Sequence, residues 1–276
     1  MGRAIADGLR TAKYEIVPIS RKTGFDLTNE QVTEKLSQIS EFDFVVFAAG
    51  KSGVVESWKY PESFFRENIL SMLTILNLLR THPKPRIYVS SYMYGNPEYL
   101  PIDEKHSVSC NNPYAYSKRQ AEEICEAYSK LYNIPIIILR PFNLYGSGMG
   151  QENLIAHILS QISGNSKISV KDLKPRRDYL HILDLAQAVT VMLAKGFHNF
   201  KIYNLGAGYS MSVEEIICKI QQLAGTRKEV LSSNEFRTNE IADCYADTSA
   251  IFHDFGWKAE VSFEMGIGEL LRGPRI

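Results

Sequence analysis

Pro113-Tyr114-Ala115-Tyr116-Ser117-Lys118 opens an amphipathic run that continues to Tyr132, and Ile134-Pro135-Ile136-Ile137-Ile138-Leu139-Arg140 follows it. The first piece has the apolar spacing of a helix, and the second is a nearly unbroken apolar strand. A strand that is apolar on both faces must be covered on both, which is the condition of a parallel sheet wrapped by helices. The alternation recurs upstream. Tyr14 to Ile19 reads as a strand, 29 to 39 as a helix, Phe44 to Gly50 as a buried strand, 61 to 80 as a long helix, and Arg86 to Ser91 as another strand. The expected fold is therefore α/β, a doubly wound, Rossmann-like parallel sheet whose ligands lie beyond the carboxyl ends of the strands.

Downstream of Gly146 the rhythm loosens. A helix near 151 to 163 and a short strand near Ile168 are followed by 178 to 193 and 201 to 206, which read as a return to the sheet. Two or three helices separated by polar chain follow Ser212. This gives a dinucleotide-binding domain of 1–146 joined by 177–206, and a smaller mixed substrate lobe made of 147–176 and 207–276.

Tyr114 and Lys118 are four residues apart, so a helix places them on one face, one turn apart. A phenol is a poor acid or base near neutrality, but an adjacent ammonium favours the phenolate and lowers its pKa. Lysines plus arginines number 31 and aspartates plus glutamates 31, so no net field draws in nucleic acid or an acidic membrane. An anionic ligand must then be held by local groups. Cys110, Cys125, Cys218 and Cys244 form no CxxC and no spacing typical of zinc, so no metal is expected. They read as reduced thiols of a cytoplasmic protein. Cys110 precedes Tyr114 closely, but nothing nearby in sequence would activate its thiol.

Six pieces in order carry a resemblance: Val89 to Gly95, the Tyr114/Lys118 pair, Arg140 to Gly146, Arg177 to Asp184, Tyr203 to Gly208, and Tyr245 to Asp247 with Gly256-Trp257-Lys258. Together they resemble the extended short-chain dehydrogenase/reductase family, in its nucleotide-sugar epimerase/dehydratase branch, over nearly the whole chain. The resemblance implies Tyr114 as catalytic acid/base and Lys118 as the group that tunes it and holds the nicotinamide ribose. It implies Ser90 as the hydroxyl on the reacting sugar oxygen, with Ser91 as the neighbouring candidate. Arg177 and Arg237 would clamp the sugar-nucleotide diphosphate as bidentate guanidinium forks. Asn143 would contact the substrate beside them. His181 and Asp184 match the family but read as structural.

For the cofactor, NADP or NAD, the resemblance implies Gly2 as the last glycine of a GxxGxxG loop whose amides approach the pyrophosphate. The first strand and most of that loop are missing from the sequence, so the chain as written is expected to be poorly soluble and to hold cofactor weakly. Ser20 and Arg21, followed by Lys22, suit a 2′-phosphate better than free ribose hydroxyls and favour NADP. Asp26 and Leu27 resemble the adenine contacts. Ala48, Ala49, Gly50 and Lys51 resemble the small-residue strand end beneath the dinucleotide, and Asn68 an asparagine behind its nicotinamide half.

Dehydratases of the branch carry an acid pair directly after the active hydroxyl, whereas this chain has Ser91-Tyr92, so elimination is not expected. What remains is 4-epimerisation, in which a sugar carbon is transiently oxidised and then reduced on its other face, or NADPH-dependent reduction of a 4-keto-6-deoxy sugar nucleotide. A non-catalytic sugar-nucleotide-binding protein is the reading of another class. A homodimer pairing 61–80 and 114–132 is expected from the family.

Overall fold

A computed structural model describes residues 1–29, 32–39, 41–78, 80, 84–164, 166–235 and 240–273. It divides into two compact units. The first comprises Met1–Gly95, Ser107–Pro141 and Ala186–Asn204, and the second Asn96–His106, Phe142–Leu185 and Leu205–Ile276.

The chain begins with helix α1 (Gly2–Thr11), then α2 (Val32–Ser37), strand β1 (Val45–Phe47), α3 (Val54–Lys59) and α4 (Pro61–Phe65). A π-helical turn, Arg66–Leu70, leads into α5 (Ser71–Leu78), β2 (Arg86–Val89), α6 (Pro113–Tyr132) and β3 (Ile136–Pro141). Next come β4 (Asn143–Tyr145), α7 (Leu154–Gly164), β5 (Lys167–Val170), β6 (Arg176–Arg177), β7 (Tyr179–His181), α8 (Ile182–Lys195) and β8 (Lys201–Leu205). The last stretch holds β9 (Met211–Ser212), α9 (Val213–Leu223), β10 (Glu229–Ser232), β11 (Asp243–Cys244), α10 (Ser249–Phe255) and α11 (Phe263–Arg272).

The first unit is built on a four-stranded sheet of order β1-β2-β3-β8. β1 and β2 run parallel with Val46 opposite Ile87, and β2 and β3 parallel with Tyr88 opposite Ile138. Every residue of β2 and β3 is buried, as the apolar runs require. Phe47, Tyr88, Ile136 and Ile138 pack with Met72, Ile75 and Leu76 of α5 and Ala121 and Cys125 of α6 in one core.

Several sequence expectations are corrected here. Tyr14 to Ile19 is extended but has no ladder partner among the described residues, and β1, a three-residue strand, pairs only with β2. A β-forming segment becomes a strand only where a neighbour takes its N–H and C=O groups, and none stands beside this one. The helix read as continuous from 61 to 80 is interrupted by the π turn at Arg66–Leu70. The stretch read from 178 to 193 as re-entering the sheet instead supplies β7, which pairs in parallel with β4, and then α8. Residues 142–146 and 177–185 accordingly fall in the second unit.

In the second unit, α7, α9 and α11 enclose a separate core that includes Ile158, Ile216, Ile220, Phe263 and Ile267. Asp178, fully buried, accepts backbone N–H groups from Ala207 at 2.7 Å and from Gly208 and Ala246 at 3.1 Å. Burial pushes its carboxyl up to about 6 against those three donations. A Cβ on Gly206 would stand 2.3 Å from the Asp178 Oδ2, so that position admits only glycine. Asp184 performs a similar pinning role, accepting from the amides of Glu260 and Val261, while its carbonyl receives the Trp257 indole N–H.

Candidate functional site

The start of α6 is fixed by local chemistry. Asn112 is its N-cap, accepting the Ala115 N–H at 2.9 Å, and Pro113 occupies the first turn, where a missing N–H costs nothing. Tyr114 therefore sits in the first helical turn and Lys118 one turn further along. The Tyr114 ring packs edge-on against Phe64 with centroids 6.1 Å apart, and the Ser91 side chain favours the ionised form of the Tyr114 hydroxyl.

The electrostatics differ from expectation. Burial raises the Tyr114 pKa above that of an ordinary phenol, and Ser91 opposes this only in part. Lys118 is itself buried, 3% exposed, and desolvation brings its pKa down to about 8. The charge that most supports Lys118 is Glu122, one turn further along α6.

Ser90 is 4% exposed, and its Oγ makes no hydrogen bond of normal geometry. Its dipole bears on Tyr88, whose phenol also feels Tyr114 and whose ring lies 5.4 Å from the Lys118 Nζ. Tyr88 thus stands amid Ser90, Tyr114 and Lys118. Its position two residues before Ser90 on a strand, and hence on the same face, was the available signal.

Gly50 follows β1 with φ +135°, and a Cβ there would lie 2.5 Å from Asn68 Oδ1 and 3.1 Å from Lys118 Nζ. Asn68, buried in the π turn, accepts the Lys51 N–H at 2.7 Å and donates to the Lys51 carbonyl at 3.1 Å. The end of β1, Asn68 and Lys118 therefore meet at one point. Ala48 and Ala49 keep this strand end small, and Gly2 lies against Ala48 at 3.9 Å from its notional Cβ. The strand end along Ala48, Ala49 and Gly50 is thus made of small residues, with Asn68 and Lys118 close to Gly50.

Ser20 caps the short 3₁₀ turn Arg21–Thr23. The Arg21 guanidinium lies 3.1 Å from Glu67 and 3.4 Å from Asp26, while Asp26 also accepts from the Thr28 amide and hydroxyl. Leu27 is in the core. Behind the site, Arg140 forms a buried fork with Glu122, with Nε at 3.1 Å from both carboxylate oxygens, and donates to the Tyr94 hydroxyl at 2.8 Å. Tyr94 in turn donates to Asn204 at 2.7 Å. Sequence reasoning missed Glu122, the carboxylate shared by Arg140 and Lys118.

Two expected substrate residues belong to the second unit. Asn143 donates its side-chain amide to the Asp178 carbonyl at 3.2 Å. Arg177 donates to the carbonyls of Arg176 at 2.7 Å and Ile241 at 2.5 Å and pairs with Glu240. Arg237 lies outside the described residues.

The profile of the NAD dependent epimerase/dehydratase family matches residues 1–206. A putative UDP-glucose 4-epimerase of Methanocaldococcus jannaschii is 30% identical over 271 residues, covering 95% of this chain and 87% of that protein. Among solved structures, the UDP-glucose 4-epimerase of Bifidobacterium longum in complex with NAD+ and UDP superposes with a TM-score of 0.80 at 28% identity, covering 88% of this chain and 79% of that one. The RMD protein of Pseudomonas aeruginosa complexed with NADPH gives a TM-score of 0.84 at 25% identity, covering 93% of this chain and 88% of that one. This chain is a member of the NAD dependent epimerase/dehydratase family, an enzyme family of the extended short-chain dehydrogenase type.

Proposed function

We propose that the chain is a nucleotide-sugar 4-epimerase in which Tyr114 moves the proton of the sugar hydroxyl. The observation that carries this is the convergence on Gly50 and the end of β2. The half-buried Tyr114 phenol, the buried Lys118 one turn away and the buried Ser90, whose hydroxyl bears on Tyr88, all belong to that region. A bound nicotinamide would supply reversible hydride exchange at the sugar carbon, with Ala48, Ala49, Gly50, Asn68 and Lys118 holding it. Once ionised to the phenolate, with its own proton released to solvent, Tyr114 Oη would take the proton of the sugar hydroxyl as the carbon is oxidised and return it when the carbon is reduced on its other face. Ser90 and Ser91 orient that oxygen, and Lys118 contributes positive charge beside it. We also propose Arg177, Asn143 and Arg237 as substrate-binding residues, on the ground of the family resemblance alone.

The relatives at 30% identity that bear the name UDP-glucose 4-epimerase favour epimerisation over reduction. The reductase reading draws on the NADPH-bound neighbour and on Ser20-Arg21-Lys22. Against it, the Arg21 guanidinium is already engaged by Glu67 and Asp26, so NAD is favoured over NADP. We also propose a homodimer. Ile69, Gln120, Glu123, Ile124 and Ala127 line an open groove of about 410 Å³ along α6, suited to the same helix of a second copy. The four free cysteines are consistent with the reducing cytoplasm.

The test is incubation with UDP-, GDP- and dTDP-hexoses plus NAD, and separately with a 4-keto-6-deoxy sugar nucleotide plus NADPH, read by chromatography. Interconversion of C4 isomers without net cofactor consumption is expected. Stoichiometric NADPH oxidation would establish the reductase instead, and binding of a sugar nucleotide with neither outcome would establish a non-catalytic protein.

A further inference from the structure

Ser117 lies between the two residues that carry the proposed chemistry, and no role has yet attached to it. It is completely buried, at 0% exposure. Its Oγ donates to the Tyr114 carbonyl at 2.8 Å, the ordinary local bond of a helical serine. The second bond is not local. Asn68, 49 residues earlier, donates its Nδ2 to the same Oγ at 2.8 Å. Asn68 also grips the Lys51 backbone through both ends of its side-chain amide, its Oδ1 accepting the Lys51 N–H at 2.7 Å and its Nδ2 donating to the Lys51 carbonyl at 3.1 Å. It sits in the π-helical turn, an insertion that rotates a side chain off the helical register and recurs at functional sites.

We propose that Ser117 is a positioning residue: its hydroxyl ties the turn carrying Tyr114 and Lys118 to Asn68, and through Asn68 to the Gly50–Lys51 bend. This rests on the reading of Tyr114 as the proton carrier. The bond path has two buried side chains and three segments distant in sequence, so the separation between the phenol and the bend is fixed by directional bonds as well as by packing. Without the Ser117 hydroxyl, Asn68 Nδ2 keeps only the Lys51 carbonyl, and the first turn of α6 loses its lateral tether. A change of position of the order of 1 Å at a reacting group costs about a hundredfold in rate.

Ser117→Ala removes one oxygen at a position where alanine suits the helix, so folding is retained. Steady-state kinetics on the isomerised sugar nucleotide should show kcat falling about ten- to a hundredfold with KM within about threefold. Ser117→Thr, which keeps a hydroxyl, should restore kcat to within about threefold of wild type. A Ser117→Ala enzyme with unchanged kcat overturns the proposal, as does an equal loss in the Thr and Ala variants. A second readout does not depend on turnover. Amide hydrogen exchange at Lys51, whose N–H is held by Asn68, should quicken at least about tenfold in Ser117→Ala, while the amides of Glu126 to Ser129 keep their rates. If the wild-type chain isomerised no sugar nucleotide, the functional reading would fall and exchange at Lys51 would still decide the tether. Unaltered exchange there would defeat it.

Discussion

At Tyr114 and Lys118, burial works against both charged forms, raising the phenol and bringing the ammonium down to about 8. Tyr114→Phe removes the transferable proton and little volume. We expect turnover to fall at least about a thousandfold while sugar-nucleotide affinity by calorimetry changes less than about threefold. Lys118 makes a prediction of opposite sign for stability. Its folded pKa is depressed from 10.5, so the cost of burying its charge is fully present below about pH 8 and fades as pH rises toward 10.5. Lys118→Met should therefore raise the unfolding free energy at pH 7 by at most about 3 kcal/mol, and Tm with it, the gain vanishing near pH 10.5 while activity is lost. A thermal melt series across pH measures this, and a destabilised variant at pH 7 would refute it. The pair itself was legible from a four-residue spacing. The motif named Ser90 with Ser91 as its neighbour, and it is Ser91 that bears on the Tyr114 phenol while Ser90 bears on Tyr88.

Among the elements, α6 was readable to within a residue, from 114–132 to Pro113–Tyr132, because Asn112 and Pro113 mark its start and Asn133 in the left-handed region its end. The π turn at Arg66–Leu70 was not, since one extra residue per turn leaves no clear mark in apolar spacing. The tether from Asn68 to Ser117 was equally hidden, because a side-chain bond across 49 residues has no local signature. α6 is in turn anchored to β3 by the pair of Glu122 and Arg140, whose side chains are 1% and 2% exposed. Breaking a buried pair on one side leaves an uncompensated charge. Glu122→Gln should lower unfolding free energy by roughly 3–5 kcal/mol in urea titration. A midpoint equal to wild type would show that the pair contributes nothing.

At the scale of the whole molecule the net charge is zero, so long-range repulsion does not keep copies apart, and association is decided by surface shape. α6 has 20 residues, about 30 Å of helix, and its groove exposes Ile69, Ile124 and Ala127 between Gln120 and Glu123. Ile124→Arg places a charge in that groove and should convert a dimer to a monomer in sedimentation velocity without loss of helix by circular dichroism. A wild-type monomer would remove the dimer proposal. No helix among the described residues is long and apolar enough to cross a membrane. The Asp178 carboxylate sets a different constraint on how the chain is made. It binds amides at 207, 208 and 246. During synthesis from the amino end, that knot stays untied until residue 246 has cleared the ribosome. A nascent chain stalled short of that point would leave the buried Asp178 carboxylate without its third amide, from Ala246.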